Sequence, residues 1–334
     1  MDSLMQWGAS VVVALQSVHG YAGVMKFYSF FGSEEFYLLV MPLLYWCVDT
    51  SLGMRLAVVL ISSQGLNALL KVAFHLPRPY WYDSRVQALS VEPTYGLPSG
   101  HAMRSTSLWG FLAQQLRRWW TWAAALVLIF LISLSRLYLG VHFPTDVFAG
   151  WLGGAVVLVV FALVERPAST WLQRLTFGQH LGLAVAVSLL YIALYGGVLA
   201  AISSSPDPVE WEQIAARAAP PATGEPATNG RNPDDAVTSG GMIVGLGAAL
   251  AVNRRRPRFS ARGPWLKRLV RFAAGAAGVL IIWAGLKLIT PPEPFLVEAV
   301  VRYVRYGLAV FWALSLAPMV FVRTGLAEGE LRSL

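Results

Sequence analysis

Residues 119–146 read WWTWAAALVLIFLISLSRLYLGVHFPTD, and this stretch decides the class of fold that the sequence predicts. Its first 20 residues are apolar apart from a few small polar side chains and Arg136 near the end. A helix needs ~20 such residues to cross the hydrocarbon core of a bilayer. Runs of similar length and composition recur along the chain. The sequence therefore predicts an all-α fold, a polytopic bundle of transmembrane helices.

The composition excludes several other classes of protein. Of the 334 residues, 56% are hydrophobic and 13% are charged, whereas an average soluble domain has about 25% charged residues. The single cysteine, Cys47, excludes an intrachain disulfide and a thiolate metal cluster. Much of the net charge of +8 comes from one basic cluster at residues 253–271. A basic loop between apolar segments is typical of the cytoplasmic side of a membrane protein, so no nucleic-acid partner is predicted.

The apolar runs predict about nine transmembrane helices, at 34–51, 53–73, 100–116, 119–138, 143–164, 180–203, 237–252, 265–290 and 295–322. Nine crossings put the two termini on opposite sides of the membrane. One side then collects most of the basic residues near helix ends, and the positive-inside rule assigns it to the cytoplasm; these are Arg117, Arg118, Arg166, Arg174, the 253–271 cluster and Arg323. The N-terminus is therefore predicted to be extracytoplasmic and the C-terminus cytoplasmic.

The apolar runs and one polar stretch also predict the domain organisation. Residues 1–32 carry several aromatic side chains, as is typical of a helix lying at the membrane interface. Residues 33–165 form the predicted core, and residues 166–203 hold the sixth helix with its loop. Residues 204–236 are rich in Pro, Ala, Asp, Glu and Asn, which predicts a flexible, mostly disordered extracytoplasmic loop. Residues 237–334 form a C-terminal transmembrane block.

A short polar motif, Pro98-Ser99-Gly100-His101, stands where a polar loop meets an apolar run. Ser99 is a good N-cap residue, so the motif predicts the start of a helix. Free amides and the positive end of the helix dipole make such a terminus a ready site for an anion. The alternative is an ordinary turn that leads into a helix, with His101 as an incidental first-turn residue.

A second group of polar residues follows the helix quoted above. Arg136 ends that helix, and His142 and Asp146 are spaced i, i+4, which places the imidazole and the carboxylate on the same helical face. A carboxylate fixes the tautomer of a histidine, as a catalytic imidazole requires. The alternative is a snorkelling arginine beside an interfacial His–Asp pair. Because ionisable residues at a membrane edge are costly, a functional role is favoured.

Two further cations, Lys71 and Arg78, lie at the end of the second predicted helix. A guanidinium group binds phosphate oxygens in a bidentate manner, and a lysine acts as a point charge. Either residue alone is equally typical of a positive stop at a helix end. In the predicted topology, however, all three motifs lie on one membrane face, and that face is extracytoplasmic.

The strings K-x6-RP, PSGH and SR-x5-H-x3-D resemble, without departure, the three-part signature of the type-2 phosphatidic-acid phosphatase and vanadium haloperoxidase superfamily. The similarity covers about residues 35–165. It implies a metal-free phosphoryl transfer through a phosphohistidine, with His142 as nucleophile, Asp146 as the carboxylate that orients it, and His101 as the acid that protonates the leaving oxygen. The remaining matched residues would bind the phosphoryl group: Lys71, Arg78 and Arg136 by charge, and Ser99 and Gly100 by hydrogen bonds.

Two classes of substrate fit the sequence. A site at a membrane edge suits an amphiphile, which favours a lipid phosphate or pyrophosphate, such as a polyprenyl pyrophosphate or phosphatidic acid. The stretches LNALLKVAFHLPRPYW, LPSGHAM and LSRLYLGVHFP also resemble the glucose-6-phosphatase branch, in which the position of Asp146 is not an acid. A soluble sugar phosphate is therefore the alternative. The aromatic cluster Tyr80–Tyr82 would then stack on the sugar, or otherwise lie at headgroup depth.

The expected partners are membrane lipid and a phosphorylated amphiphilic substrate. No cofactor and no metal ion is expected, because the sequence has neither a carboxylate cage nor a thiolate–histidine set. The expected location is a bacterial plasma membrane with the site facing outward. The alternative from another class is a non-enzymatic transport or scaffold protein, but the pair of broken helices typical of a transporter is missing. No sequence feature indicates an oligomeric state.

Overall fold

The computed structural model describes residues 2–221, 226–254, 258–290 and 295–330, and these residues are mostly helical. A π-helical turn, Trp312–Leu316, joins the last two helices, and two strands of two residues, β1 (Arg258–Phe259) and β2 (Gly329–Glu330), pair antiparallel. The helices are α1 Asp2–Gln16, α2 Ala22–Phe30, α3 Glu34–Cys47, α4 Thr50–Phe74, α5 Pro79–Tyr82, α6 Gly100–Leu116, α7 Trp119–Tyr138, α8 Pro144–Leu172, α9 Phe177–Ala201, α10 Val209–Ala218, α11 Asp234–Asn253, α12 Trp265–Leu288, α13 Phe295–Phe311 and α14 Ala317–Arg323.

The lengths and apolar composition of the helices are those of an integral membrane protein. Each of the nine predicted spans falls on a helix, and in the described part of the chain seven helices are long and apolar enough to cross a membrane. The other two, α3 and α6, have 14 and 17 residues, fewer than the ~20 needed for a full crossing. The number of crossings and the sides of the termini therefore stay predictions. Within the basic cluster, Arg255 and Arg256 lie outside the described residues.

Local chemistry fixes the helix ends that carry the motifs. Ser99 is the N-cap of α6, and its side chain accepts a hydrogen bond from the amide of Ala102, as the sequence predicts. The same helix ends at Arg117, whose φ of 53° lies in the left-handed region. Pro79 and Pro144 are the first residues of α5 and α8, a position at which the missing N–H of proline costs no helical hydrogen bond. The polar motifs consequently stand at helix ends.

One compact unit contains all three motifs and comprises Met1–Phe36, Ser62–Val160 and Tyr195–Asn232. In it α8 crosses very close to α6: a Cβ on Gly150 would lie 2.7 Å from the carbonyl oxygen of Ser99, and one on Gly154 would lie 2.6 Å from that of Met103. The Gly150-xxx-Gly154 spacing predicts such a helix contact, and the structure confirms it.

The N-terminal segment, predicted as one interfacial helix, forms two helices in this unit. The first, α1, packs against α5 and α7, and α2 packs along α7. The amide nitrogen of Gln16 in α1 donates to the carbonyl oxygens of Gln87 and Tyr138, at 2.8 and 3.0 Å. The segment is therefore part of the packing around the motifs.

The prediction of a mostly disordered loop at 204–236 is wrong for its described residues. This stretch contains α10, and the carboxylate of Glu212 accepts hydrogen bonds from the amides of Ala227 and Thr228 at 2.7 and 2.8 Å. The composition is poor in apolar residues, but Ala215 and Ala227 are buried in a cluster with Tyr80 and other residues of the unit. That tertiary burial supplies the stabilisation that composition alone does not reveal.

A second compact unit comprises Tyr37–Ile61, Phe161–Leu194 and Pro233–Leu334. Its helices α11 and α13 approach through small residues, since a Cβ on Gly241 or Gly245 would lie 2.3 Å from the carbonyl oxygen of Tyr303 or Gly307. Its core is built around the fully buried Trp46, whose indole N–H donates to the carbonyl oxygen of Ala313 at 2.8 Å. None of the three motifs lies in this unit.

Candidate active site

His142 and Asp146 form the centre of the candidate site. His142 lies in the turn between α7 and α8, and Asp146 lies in the first turn of α8. The Asp146 Oδ2 atom lies 3.3 Å from His142 Nδ1 and accepts a hydrogen bond from the amide of Phe143 at 2.9 Å. Both side chains are almost completely buried. The carboxylate is thus held in place and faces one nitrogen of the imidazole.

The other imidazole nitrogen faces a cation. Arg78 Nη1 lies 3.3 Å from His142 Nε2. Because a guanidinium group only donates hydrogen bonds, Nε2 is assigned as the acceptor and Nδ1 as the N–H that faces Asp146. Burial, together with the positive charges of Arg78 and Arg136, lowers the pKa of His142. The imidazole is therefore neutral, with a lone pair on Nε2, which is the state that a nucleophile requires.

Arg78 is fully buried and is held by the backbone around it. Its guanidinium group donates to the carbonyl oxygens of Thr94, Val141 and Tyr95, at 2.6, 2.9 and 3.1 Å. Lys71, at the end of α4, donates to the hydroxyl of Thr94 at 2.8 Å. The hydroxyl also accepts from Arg78 at 3.2 Å. Thr94 therefore joins the two cations of the first motif.

Arg136 reaches the site from the end of α7. One of its Nη atoms donates to the hydroxyl of Ser29 in α2 at 2.6 Å, and the other forms an ion pair with Glu92. Its Nε atom is buried and has no hydrogen-bond partner among the residues that the structure describes. A buried guanidinium nitrogen without a partner is a donor still available to an anion.

The PSGH motif completes the site from the N-terminus of α6. The amide of Ser99 donates to the carbonyl oxygen of Asp146 at 2.9 Å, which ties the second motif to the third. Gly100 is the first residue of α6, and His101 follows in the first turn. His101 lines a cleft of about 410 Å³ together with Arg136, Glu92 and Arg104. The structure thus brings all eight predicted site residues into one region.

Sequence reasoning missed the side chains that connect these residues. Thr94 links Lys71 to Arg78, and Glu92 pairs with both Arg78 and Arg136. Neither residue belongs to a spaced motif. The available signal was a carboxylate in the loop between two groups of cations, because such a charge is costly without a partner. The N-terminal segment was missed as well, although its side chains Lys26, Ser29 and Ser33 line the cleft.

Glu92 is ionised in this arrangement. Burial alone would raise its pKa, but the guanidinium groups of Arg136 and Arg78 outweigh burial and hold the pKa of Glu92 well below its usual range. Its carboxylate oxygens are divided between the two arginines: Oε2 lies 3.3 Å from Arg78 Nη2, and Oε1 pairs with Arg136 Nη2. The site therefore contains a negative charge at the centre of its cations.

The first two members of the aromatic cluster Tyr80–Tyr82 offer no surface for stacking on a sugar. Tyr80 and Trp81 are buried, with exposed fractions of 0% and 1%, and they belong to the core of the unit. Neither ring is therefore exposed for a substrate to stack on, and their depth in a membrane stays a prediction. The helices α1 and α10 both pack against α5 and cover these rings. Tyr82 keeps some exposed surface.

Comparison with known proteins agrees with this arrangement. Residues 52–168 match the family model of the PAP2 superfamily, and residues 237–329 match the model of the PAP2 superfamily phosphatase, transmembrane extension. The chain is 32% identical to the undecaprenyl-diphosphatase of Sulfolobus acidocaldarius over 146 residues, which cover 43% of this chain and 70% of the relative. The chain belongs to the PAP2 superfamily. The family resemblance of the three motifs is thereby confirmed, and the match over residues 52–168 contains all eight site residues that the sequence predicts.

Two further PAP2 proteins show how far the similarity extends. Sphingosine-1-phosphate phosphatase 2 of Mus musculus is 26% identical over 181 residues, which cover 52% of this chain and 50% of that protein. The crystal structure of a transmembrane PAP2-type phosphatidylglycerolphosphate phosphatase from Bacillus subtilis has a TM-score of 0.43 at 22% identity, over 50% of this chain and 88% of that chain. The chain therefore spans 70% of the length of the undecaprenyl-diphosphatase and half of the length of the sphingosine-1-phosphate phosphatase.

Proposed function

We propose that the protein hydrolyses a phosphate or diphosphate ester of a membrane lipid through a phosphohistidine at His142. One observation carries the proposal: the imidazole stands between Asp146, 3.3 Å from Nδ1, and Arg78, 3.3 Å from Nε2. The carboxylate holds the tautomer that leaves Nε2 as a lone-pair donor. The guanidinium group next to it is a cation at the point where a phosphoryl oxygen would lie during attack.

In the first step, His142 Nε2 attacks phosphorus and the bond between phosphorus and the leaving oxygen breaks. His101 donates a proton to that oxygen, so a monoester releases an alcohol and a diphosphate releases a lipid monophosphate. Lys71, Arg78 and Arg136 neutralise the charge on the phosphoryl oxygens, which is the main contribution that proteins make to phosphoryl transfer. Asp146 stabilises the positive charge that forms on the imidazole.

In the second step, water attacks the phosphohistidine and the P–N bond breaks. His101, now neutral, accepts the proton of the water, and inorganic phosphate leaves with His142 restored. The same residue thus acts as acid and then as base, which is chemically efficient because its protonation state alternates between the two steps. The position of His101 in the cleft beside Arg136 supports this role.

Lipid phosphates are the proposed class of substrate. Relatives of the chain are named for undecaprenyl diphosphate and sphingosine 1-phosphate, and both combine a phosphorylated head with an apolar tail. The site lies at the ends of long apolar helices, where such a tail extends into lipid while the head meets the cations. The burial of Tyr80 and Trp81 removes the aromatic surface that would favour a sugar phosphate. We place the site on the extracytoplasmic face, from the distribution of basic residues.

The reaction is proposed to need no metal ion. In the described part of the chain, no three His, Cys, Asp or Glu side chains are grouped so that they could hold one. The cations that a metal would otherwise supply are present as Lys71, Arg78 and Arg136. The detergent-purified protein is therefore expected to retain its activity in EDTA, and complete loss of activity would contradict this part of the proposal.

The test is phosphate release in EDTA from a polyprenyl diphosphate, a lipid monophosphate and glucose 6-phosphate. The wild type is expected to turn over the lipids, and His142→Ala to lose roughly 1,000-fold or more of kcat because it removes the nucleophile. His19→Ala is the matched control, since His19 lies exposed in the turn between α1 and α2. Retained turnover in His142→Ala contradicts the mechanism, and a preference for glucose 6-phosphate contradicts the lipid substrate.

A further inference from the structure

The backbone of Glu92 is fixed by a buried tyrosine. The hydroxyl of Tyr80 donates to the carbonyl oxygen of Glu92 at 2.8 Å and accepts from its amide at 3.1 Å. Tyr80 itself is completely buried in the core of the unit. Two hydrogen bonds to the backbone of one loop residue define where its side chain begins, so the fold keeps the carboxylate within reach of the site.

The carboxylate of Glu92 binds the two arginines in the way that a phosphoryl group would. One oxygen lies 3.3 Å from Arg78 Nη2, and the other forms the ion pair with Arg136 Nη2. Carboxylates and phosphates both offer guanidinium groups a pair of oxygen acceptors. The two arginines converge on a space between them, and the oxygens of Glu92 occupy it.

We propose that Glu92 is the resident anion of the phosphate subsite, and that the phosphoryl group of the substrate displaces it from Arg78 and Arg136. The inference rests on the proposed function, because it takes these two arginines as the cations that bind the phosphoryl oxygens. A phosphoryl group and the Glu92 carboxylate carry charges of the same sign, so both cannot share the space without strong repulsion.

The cleft beside the site gives the displaced carboxylate a place to go. The side chain of Glu92 is 27% exposed, and it lines the cleft. Lys26 and Arg104 line the same cleft with positive charge, and Glu34 and Glu35 line it with negative charge; Glu34 pairs with Arg104 at 3.5 Å. The cleft is thus polar and can solvate a carboxylate. Because the backbone of Glu92 is fixed, rotation about its side-chain bonds is sufficient to move the carboxylate from the arginines into the cleft.

This exchange has consequences for binding and for product release. Each phosphoryl group that binds must break two ion pairs of Glu92, which weakens the affinity of the site for phosphate. The return of Glu92 then competes with inorganic phosphate for the arginines after hydrolysis. Glu92 is therefore expected to weaken product inhibition and to keep the buried guanidinium groups paired between turnovers, since unpaired buried charges are costly.

The test is the affinity of the full-length, detergent-purified protein for orthovanadate, a phosphate analogue, measured by calorimetry. Glu92→Gln keeps the shape of the side chain and removes its charge. It is expected to bind orthovanadate about tenfold or more tightly, because the competing anion is gone. Glu92→Asp keeps the charge on a shorter side chain that spans the two arginines less well, and an affinity between those of the other two proteins is expected.

Asp83→Asn is the matched control. It removes a carboxylate from the same loop, and that carboxylate pairs with Arg85 at 2.6 Å, away from the catalytic cations. Its affinity for orthovanadate is expected to equal that of the wild type. Equal or weaker binding by Glu92→Gln, or by Glu92→Asp if the glutamine variant does not fold, overturns the inference. Because binding is measured without turnover, failure of the proposed lipid hydrolysis is detected separately, in the phosphate-release assay.

Discussion

At the scale of single residues, the proposed mechanism depends on how Asp146 holds His142. The carboxylate accepts from the amide of Phe143 and faces the Nδ1 atom of the imidazole. Asp146→Asn keeps the size of the side chain but can present an N–H to Nδ1, which favours the wrong tautomer. We expect kcat to fall on the order of 1,000- to 10,000-fold. Phosphate release at saturating substrate measures it, and a loss of less than tenfold would show that Asp146 does not orient the nucleophile.

Glu92 supplies a prediction about pH and stability. Its pKa is held well below the usual value of about 4.3, so its ion pairs stabilise the folded state fully above that value. Their contribution is lost as the pH falls through the lowered pKa. Glu92→Gln lacks these pairs and should unfold at a lower temperature than the wild type. The difference in unfolding temperature between the two proteins should stay constant from pH 8 to about pH 5 and become smaller below about pH 4.3. A gap that already narrows between pH 7 and pH 5 would contradict the lowered pKa.

The residues of the site were predictable from sequence to the extent that spacing reveals them. The N-cap Ser99 follows from local helix geometry, and the structure confirms it. The i, i+4 spacing does bring His142 and Asp146 together, but His142 lies in the turn before α8, so the prediction that the two share a helical face is wrong. Glu92 and Thr94 follow no period. Their contacts with Arg78 exist only because the loop before α6 folds back over the end of α4, and no local rule specifies such a return.

At the scale of elements, the stretch around α10 is tied to the wall of the site. The hydroxyl of Tyr95 donates to the carboxylate of Asp207 at 2.7 Å, and Arg231 Nη2 pairs with the same carboxylate at 2.9 Å. The carbonyl oxygen of Tyr95 in turn accepts from Arg78. A segment that follows α9 in sequence therefore supports the loop that holds Arg78, a proposed phosphoryl-binding cation.

Tyr95→Phe tests this support. It removes the hydrogen bond to Asp207 and leaves the ring and the carbonyl oxygen in place. We expect weaker binding of orthovanadate, by up to about tenfold, because one hydrogen bond contributes about 0.5–1.5 kcal/mol, while kcat changes little. Tyr82→Phe is the matched control, since its hydroxyl makes a long, 3.5 Å contact with the carbonyl oxygen of Asp2. Equal affinities in both variants would show that the link to Asp207 does not position Arg78.

The elements themselves were predicted unevenly, for a physical reason. The long helices such as α7 and α8 are specified by length and apolar composition, so sequence located α7 with the observed bounds and the start of α8 within one residue, although α8 continues past its predicted end at residue 164 to Leu172. The helices α1, α2 and α10 are shorter, and tertiary contacts add to their local stabilisation. Ser29 in α2 meets Arg136 in α7, and Ala215 in α10 is buried beside residues of the loop before α6. Contacts between segments far apart in sequence leave no local pattern.

At the scale of the whole molecule, the predicted topology is directly testable. In a Cys47→Ser background, Glu210→Cys and Arg174→Cys each introduce one exposed thiol, in α10 and in the connection between α8 and α9. Nine crossings with an extracytoplasmic N-terminus place residue 210 outside and residue 174 inside. A membrane-impermeant maleimide should therefore label the first variant in intact cells and the second only after permeabilisation. The reverse pattern would move the active site to the cytoplasmic face.

The central claim is that a phosphoryl group passes through His142, and one measurement tests it most directly. The purified protein is mixed with a ³²P-labelled lipid phosphate, quenched in alkali, in which phosphohistidine is stable, and digested for mass spectrometry. The phosphohistidine mechanism predicts label on the peptide that contains His142, and none in the His142→Ala protein. Rapid turnover without label on His142, or label on another residue, would contradict this mechanism.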